Sequence, residues 1–299
     1  MSLIERALEK HRRSGDKPGD KTLPGNRPPL APAAAVTEVL AAHREIGCLP
    51  EPVELDVVSL RMRGYMPTEE AMSEMMHQFR RLKRPLVVNA IQREPGTALS
   101  SRIIAVASAV AGEGKSFTSL NLAMSLAIER DFNVLLIDGD IARGALTNAL
   151  GLGGEPGLLD LLSDGERTME SCVRRTSLEG LYVLPSGKWR DNAPELLGSA
   201  RLKRMLADVT ARYPGCLVVC DTAPVMLTNE GAVFLSIAGQ VVFIVSTGST
   251  PRQSIIDSLA LIPSDRAVSM VLNKFSGPLD SGYQYYGQHY DARSDKDKA

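Results

Sequence analysis

The stretch at residues 103–116, IIAVASAVAGEGKS, constrains the fold more than any other part of the chain. An apolar, β-branched run leads into a glycine-containing turn and then into Lys-Ser, which is the order strand, loop, helix start. Glycines let backbone N–H groups face an oxyanion, the helix N-terminus adds positive charge, and a lysine reaches the terminal phosphates. The sequence therefore predicts a phosphate-binding loop, although Ala109 replaces the first glycine of G-x-x-x-x-G-K-[ST]. The alternative is a glycine turn before an ordinary helix.

Two further apolar runs end in carboxylates. Residues 133–138, NVLLID, lead to Asp138-Gly-Asp140 and then to Arg143, and residues 216–220 lead to Asp221 in the tetrapeptide DTAP. Parallel strands present their carboxyl ends at one edge of a sheet, where ligands bind in open α/β folds. These side chains are therefore expected to gather around the phosphate-binding loop.

Strands alternate with amphipathic helices over most of the remaining chain. The predicted strands lie near residues 103–108, 133–138, 181–185, 216–221, 241–246 and 267–273. Such alternation predicts an α/β fold, a doubly wound and mainly parallel sheet of the P-loop NTPase type, with right-handed crossovers. An N-terminal helical extension precedes it, with a helix that Thr68 can cap and Pro85 is expected to stop.

Composition narrows the class of protein. The chain has 299 residues, 44% hydrophobic content, a net charge of −1 and a pI near 6.5, so no basic nucleic-acid surface is indicated. Its four cysteines lack metal-ligand spacing, which favours buried free thiols and a reducing cytoplasm. The start of the chain has no signal-peptide pattern. Residues 231–248 carry no charged side chain, and Gly239 favours a helix followed by a strand over a membrane span.

The chain divides into five predicted segments. These are a short amphipathic helix at 1–13, a Pro/Gly-rich tether with a short helix at 14–50, a helical region at 51–95, the nucleotide-binding domain at 96–278, and a tail at 279–299. Residues 281–290, SGYQYYGQHY, hold four of the seven tyrosines without an apolar period that could bury them. These tyrosines are expected to be exposed and available as substrates; they are Tyr283, Tyr285, Tyr286 and Tyr290.

With these motifs in place, the sequence resembles the bacterial tyrosine kinases (BY-kinases) over roughly residues 51–290. The three strand-end motifs of that family correspond here to AVAGEGKS, LLIDGDIAR and LVVCDTAP, and LPSGKWRDNAPELLGS is similar to the connection between the second and third. More locally, MSLIERALEK and QFRRLKRPL resemble tyrosine autokinases associated with exosortase-linked exopolysaccharide loci.

The resemblance implies an ATP- and Mg²⁺-dependent protein-tyrosine kinase of the cytoplasm that phosphorylates its own tail in a neighbouring subunit. It further implies a homo-oligomer, recruitment to the inner face of the membrane by a separate chain-length determinant protein, a counteracting tyrosine phosphatase, and control of exopolysaccharide polymerisation and export. No nucleic-acid partner is implied. The family's oligomerisation motif E-x-x-R-x-x-R aligns with residues 77–83, HQFRRLK, which departs from it.

Residue roles follow from the resemblance. Lys115 would hold the β and γ phosphates, while the metal-binding residues would be Ser116, Asp138 and Asp221, the last through a bound water. Asp138 or Asp140 would accept the tyrosine proton. Arg143 would contact phosphate or pair with a motif aspartate, and Asn273 would bind adenine or cap a strand. The remaining nucleotide-binding residues would be Ala111, Gly112, Glu113, Gly114 and Phe117.

Two other functions remain open from sequence. A partitioning or septum-positioning ATPase would carry a second loop lysine in K-G-G-x-G-K, and Val110 stands there instead. A non-catalytic, nucleotide-bound scaffold of polysaccharide assembly is the third possibility.

Overall fold

A computed structural model describes residues 52–91, 100–129 and 132–275. The predicted helix at 1–13, the tether and the tyrosine tail lie outside these residues. The helices are α1 Val57–Met62, α2 Glu69–Ile91, α3 Lys115–Ala127, α4 Ala145–Ala149, α5 Leu158–Ser163, α6 Met169–Cys172, α7 Ala193–Gly198, α8 Ala200–Arg212, α9 Asn229–Ile237 and α10 Arg252–Ala260. The strands are β1 Ile103–Ser108, β2 Asn133–Asp138, β3 Arg174–Arg175, β4 Leu181–Leu184, β5 Cys216–Asp221, β6 Gln240–Ser246 and β7 Ala267–Asn273.

One sheet organises the molecule. Its strand order is β3-β4-β2-β5-β1-β6-β7, and every neighbouring pair is parallel except β3 with β4. Strands β1, β2, β4 and β5 are buried along their whole length, as expected when helices cover both faces. The predicted α/β class with a mainly parallel sheet is confirmed.

The two faces of the sheet bury separate cores. Along β1, Ile103, Ala105 and Ala107 point into one core, and Ile104 and Val106 point into the other. This alternation follows from the two-residue period of a strand. Helices α1 to α4 cover the second core, while α5 to α10 cover the first.

The expected end of α2 at Pro85 is wrong, because the helix continues through Pro85 to Ile91. Leu86 and Ala90 are buried in the second core, and Gln240 donates through Nε2 to the Leu86 carbonyl at 2.9 Å. Tertiary packing of the last two turns therefore outweighs the lost helical hydrogen bond of the proline. The basic residues before Pro85 are consequently mid-helical, and Lys83 is buried, with Nζ 2.8 Å from Glu129 Oε1.

Other sequence interpretations are confirmed within the described ranges. Residues 231–248 fold as the end of α9 followed by β6, and no helix of the described residues is long and apolar enough to span a membrane. Cys172, Cys216 and Cys220 are buried free thiols. The predicted strands agree with β1, β2, β5 and β7 to the residue, and with β4 and β6 to within one residue.

Candidate active site

The phosphate-binding loop, residues 109–116, joins β1 to α3. Gly112 and Gly114 adopt φ values of +79° and +100°, which glycine reaches without strain. A Cβ on Gly114 would lie 2.1 Å from Asn273 Nδ2, so this position also requires glycine for close approach. Helix α3 begins at Lys115, so its first N–H groups, which have no partner within a helix, lie at the loop. The local geometry suits an oxyanion.

Lys115 lies under the loop. It is only 6% exposed, and Nζ donates to the hydroxyl of Ser108 at 3.0 Å. Burial lowers the pKa of Lys115, while Asp221 and Asp140 oppose that shift. Ser108 Oγ also donates to the Val110 carbonyl at 2.9 Å, so it connects the lysine to the loop backbone. Ser108 was not recognised from the sequence, since a small residue at a strand end carries no motif of its own.

The side chain of Glu113 bonds to the protein itself and does not face the phosphate-binding side of the loop. Its carboxylate is 2% exposed and accepts from the backbone N–H of Val110 at 2.8 Å and of Ser246 at 3.4 Å, and from the hydroxyl of Thr250. The side chain therefore ties the loop to the end of β6. Only the main chain of Glu113 remains for a nucleotide.

Asp138 and Asp221 occupy paired register positions at the ends of β2 and β5. Burial and the Asp138 charge raise the pKa of Asp221 to about 7, and burial raises that of Asp138 to about 6. Asp138 Oδ2 accepts from the N–H and hydroxyl of Thr147 at 2.7 and 2.6 Å, and Asp221 Oδ1 accepts from Ser119 Oγ at 3.1 Å. Thr147 and Ser119 are positioning residues that sequence reasoning missed.

The second oxygen of each of these two carboxyl groups is available to a cation. Asp138 Oδ1 and Asp221 Oδ2 are buried and accept no hydrogen bond from the described residues. The Ser116 hydroxyl interacts with Asp221 and lowers its pKa. Mg²⁺ is typically bound by one or two carboxylates together with substrate phosphates. The donor set therefore fits a nucleotide-bound magnesium ion, although no group of three acidic, His or Cys ligands occurs among residues of the described ranges.

Asp140 and Arg143 lie beyond β2. Asp140 is 6% exposed, and burial raises its pKa while Lys115 and Arg143 lower it. Arg143 is exposed, and its N–H donates to the Asp140 carbonyl at 3.1 Å. The structure therefore brings Lys115, Asp140 and Arg143 into one electrostatic neighbourhood.

Asn273 and Lys274, at the end of β7, donate hydrogen bonds to the backbone of the phosphate-binding loop. Asn273 Nδ2 donates to the Glu113 carbonyl at 2.8 Å, which leaves its Oδ1 as the acceptor available to a base. Lys274 Nζ donates to the Gly112 carbonyl at 2.7 Å. Lys274 is the one non-glycine residue with positive φ in the described part of the chain, at 56°. Sequence reasoning missed this contact, because it joins residues 162 positions apart.

Ala111 and Phe117 are the remaining predicted nucleotide-binding residues within the described ranges. Ala111 is exposed, and Phe117 packs near Phe79 with ring centroids 6.5 Å apart. Phe117 and Asn273 also line a groove of about 490 Å³ between α2 and β7. On the other side, Tyr65 donates its hydroxyl to the Ala145 carbonyl at 3.2 Å and so holds α4. The four tail tyrosines lie outside the described residues.

The glycine loop with its buried lysine, placed at the carboxyl edge of a doubly wound sheet, defines a nucleotide-binding protein of the P-loop class. A family model confirms the assignment over more than half of the chain. The chain belongs to the family described as AAA domain, which matches residues 101–270.

Similarity to bacterial tyrosine kinases is confirmed by curated relatives. The tyrosine-protein kinase ptk of Acinetobacter johnsonii is 37% identical over 145 residues, which are 48% of this chain and 19% of the relative. The tyrosine-protein kinase YwqD of Bacillus subtilis is 28% identical over 77% of this chain and 93% of its own length. The succinoglycan biosynthesis transport protein ExoP of Rhizobium meliloti is 31% identical over 58% of this chain and 22% of its own length. The chain thus spans about a fifth of two of these relatives.

Solved structures agree in fold. The chimerical protein CapA2B2 matches with a TM-score of 0.61 at 24% identity, over 82% of this chain and 99% of that one. The kinase domain of the Escherichia coli tyrosine kinase ETK matches with a TM-score of 0.52 at 25% identity, over 59% and 70% of the two chains.

Proposed function

We propose that this chain is an ATP-dependent protein-tyrosine kinase that phosphorylates the tyrosine cluster at 283–290 in a neighbouring copy. The observation that carries the proposal is the convergence of Lys115, Asp138, Asp140 and Asp221 around one phosphate-binding loop. The names of the relatives supply the class of reaction.

Phosphoryl transfer requires positioning and charge neutralisation more than covalent chemistry. The N–H groups of the loop and the α3 N-terminus would hold the β and γ phosphates. Lys115 would leave the Ser108 hydroxyl, 3.0 Å away, and extend to the γ phosphate. Ser108 therefore binds the Lys115 ammonium group when no nucleotide is present.

Ser116, Asp138 and Asp221 would hold Mg²⁺, with Asp138 Oδ1 and Asp221 Oδ2 as the unpartnered buried oxygens that fit it. When bound, the ion supplies positive charge to the phosphate oxygens. Thr147 fixes the other oxygen of Asp138, and Ser119 fixes the other oxygen of Asp221. Each carboxylate is thereby oriented with one oxygen toward the site.

Asp140 is the better candidate for the base. It is less buried than Asp138, and Asp138 Oδ2 is already engaged by the Thr147 hydroxyl. Tyrosine has a reference pKa near 10, so about one phenol in a thousand is ionised at pH 7. The tyrosine oxygen forms a bond to the γ phosphorus, the bond from that phosphorus to the β–γ bridging oxygen breaks, and the phenol proton passes to Asp140. ADP is the leaving product, and Arg143 stabilises its charge.

The setting proposed for this activity is the control of exopolysaccharide polymerisation and export. The name of the Rhizobium relative supports it. In this setting the chain is a cytoplasmic homo-oligomer at the inner face of the membrane, activated by a separate chain-length determinant protein and reversed by a tyrosine phosphatase.

The test is phosphopeptide analysis of the purified chain incubated with Mg-ATP, beside Lys115→Met and a variant with all four clustered tyrosines changed to Phe. We expect phosphate on the peptide that contains Tyr283 to Tyr290, lost in both variants. If none forms even with a membrane activator fragment, the kinase proposal is wrong. Steady ATP hydrolysis would then indicate an ATPase switch, and ATP binding without turnover would indicate a scaffold.

A further inference from the structure

The chain has a single tryptophan, and that side chain is 51% exposed. Trp189 lies in the loop of residues 185–191 that follows β4. Phe275 is the other exposed large aromatic side chain in the described ranges, and it lies just past β7, at the opposite end of the sheet. An exposed indole offers a flat apolar surface with one hydrogen-bond donor, which is typical of residues that contact a partner.

The loop starts beside the catalytic carboxylates. Leu184, the last residue of β4, pairs in register with Ile137 of β2, immediately before Asp138. The N–H of Ser186 donates to Thr147 Oγ1 at 2.9 Å, and that hydroxyl donates to Asp138 Oδ2 at 2.6 Å. Two hydrogen bonds therefore connect the start of the Trp189 loop to Asp138.

A buried carboxylate braces the loop. Asp160 is 6% exposed and accepts from Gly157 N at 3.1 Å, Lys188 N at 3.0 Å and Arg190 Nη2 at 3.2 Å. Gly187 has φ of +80°, and a Cβ there would lie 2.6 Å from Asp160 Oδ2. The residues on both sides of Trp189 are therefore fixed, while about half of the Trp189 surface remains exposed to solvent.

A second apolar surface borders the site on the side of β5. Met226 and Leu227 follow the DTAP motif and are 42% and 63% exposed. The N–H of Met226 donates to the Ala109 carbonyl at 3.2 Å, which places this pair against the phosphate-binding loop. Helices α7 and α9, which begin just after the two surfaces, pack against each other. Exposed apolar groups thus border a site whose interior is polar and charged.

We propose that Trp189, together with Met226 and Leu227, is the docking surface for the tyrosine-bearing segment 281–290 of a second copy of this chain. That segment contains no Asp, Glu, Lys or Arg, so ion pairs cannot supply its binding. Its four tyrosines offer rings, which stack on or pack edge-to-face against an indole. A ring held on Trp189 carries its hydroxyl toward the carboxylates that end β2.

Reach restricts the tail of the same copy at its first tyrosine only, because Tyr285, Tyr286 and Tyr290 follow Phe275 by 10, 11 and 15 residues. Five strand spacings of about 4.8 Å separate β4 from β7, or about 24 Å. Tyr283 follows Phe275 by eight residues, and a fully extended chain of that length spans about 26–29 Å. The tail of the same copy would have to run nearly taut across the nucleotide to present this tyrosine. A second copy can present all four tyrosines without this restriction, and the choice of a second copy otherwise rests on the transfer between copies proposed above.

This inference rests on the proposed kinase function, and the experiment separates the two. Its first arm is binding: the single tryptophan reports docking directly when the full chain is titrated with a peptide of residues 279–299, which contains none. We expect a saturable fluorescence change, absent with a peptide in which the four tyrosines are Ala. Parent chain and Leu261→Ala, an exposed apolar residue following α10, should respond equally.

The second arm is transfer between copies. A donor with all four tail tyrosines changed to Phe phosphorylates a Lys115→Met acceptor. Trp189→Ala in the donor should raise the KM for the acceptor about tenfold, with kcat and the KM for ATP nearly unchanged, and Trp189→Phe should recover most of the loss. The same Trp189→Ala change placed in the acceptor should have no effect, since docking uses the donor's surface.

The outcomes are distinct. Phosphotyrosine formed with an unchanged acceptor KM and no fluorescence response would overturn the docking surface and leave the kinase in place. A fluorescence response without phosphotransfer would support docking and overturn the kinase. An equal KM increase from Leu261→Ala would also count against the proposal, because the effect would not be local.

Discussion

At the scale of single residues, the candidate site contains two buried carboxyl groups whose ionisation is disfavoured by burial. Burial, together with the charge of Asp138, raises the pKa of Asp221 to about 7, and burial, together with the charge of Asp140, raises the pKa of Asp138 to about 6. Without a nucleotide, the folded protein therefore favours the protonated form of both carboxyl groups, more than water would. If the pair binds Mg²⁺ as proposed, the cation would offset the cost of ionising both groups, so a pair that destabilises the free chain would favour Mg-nucleotide.

A stability prediction follows from the sign of this shift. Because the folded chain binds these protons more tightly than the unfolded chain, the free energy of unfolding contributed by Asp221 falls as pH rises between 3.8 and about 7. Asp221→Asn keeps an acceptor for Ser119 and removes the charge. We expect the variant to be more stable than the parent by about 1–3 kcal/mol above pH 7, with the difference vanishing near pH 4. Denaturant unfolding across this pH range measures it.

Asp208→Asn, at an exposed position of α8, is the control for loss of one negative charge, and it should leave the free energy of unfolding nearly unchanged across this pH range. The variant at Asp221 should also lose the stabilisation that Mg-ATP gives the parent. A destabilised Asp221→Asn chain at pH 8 would contradict the interpretation of the pair as a cation site that strains the free protein.

At the scale of elements, α2 depends on its packing beyond Pro85. Leu86 is 1% exposed in the second core, whereas Val88 on the outer face is 47% exposed. Leu86→Ala should lower the free energy of unfolding by about 2–4 kcal/mol, since it leaves a cavity between α2 and the sheet. Val88→Ala, the matched control, should change it by about 0.5 kcal/mol or less. Equal effects in denaturant unfolding would mean that α2 ends near Pro85.

The same element marks the limit of sequence reasoning. Strands β1, β2 and β5 were predictable because each is a short apolar run with a functional residue at its end, a signal contained in neighbouring residues. The continuation of α2 was not, because Gln240 and the second core hold its last turns from elsewhere in the chain. The two-residue strand β3 also has no sequence signal, since its position depends on β4.

The candidate site divides in the same way. Lys115, Asp138 and Asp221 could be named from strand-end motifs, since the chemistry of phosphate and magnesium requires those residue types there. Glu113 was assigned to the nucleotide, yet its carboxylate bonds to β6 and the loop backbone. The bonds of Thr147 and Ser186 depend on tertiary contacts. A motif thus names candidate groups for the ligand, whereas the groups that hold them in place depend on contacts from elsewhere in the chain.

At the scale of the whole molecule, the sheet order brings the last strand to the phosphate-binding loop, and the region before α2 contacts the helix that follows this loop. The N-terminal region contacts α3 through Asn121, whose Nδ2 donates to the Tyr65 carbonyl at 2.8 Å. The last strand contacts the loop through Asn273 and Lys274. Since residues 276–299 continue directly from that strand, the segment proposed as substrate is joined covalently to a clamp on the nucleotide site.

Lys274 provides the test of this clamp. Its left-handed backbone costs about 1–2 kcal/mol for a residue with a side chain, and its ammonium group bonds to the Gly112 carbonyl at 2.7 Å. We expect Lys274→Ala to weaken binding of ATP and of inorganic tripolyphosphate by a similar factor, about three- to tenfold, because the contact fixes the loop and not the base. Isothermal titration with both ligands measures this.

Two further variants separate the clamp from backbone strain. Lys274→Gly should unfold at higher denaturant than Lys274→Ala, because glycine adopts φ of 56° freely, but should bind ATP no better. Lys203→Ala, at an exposed position of α8, should leave both affinities unchanged. If Lys274→Ala weakens ATP alone and leaves tripolyphosphate binding intact, Lys274 contacts the nucleoside and does not hold the loop. Asn273 would then be the one residue of this clamp that connects the end of β7 to the phosphate-binding loop.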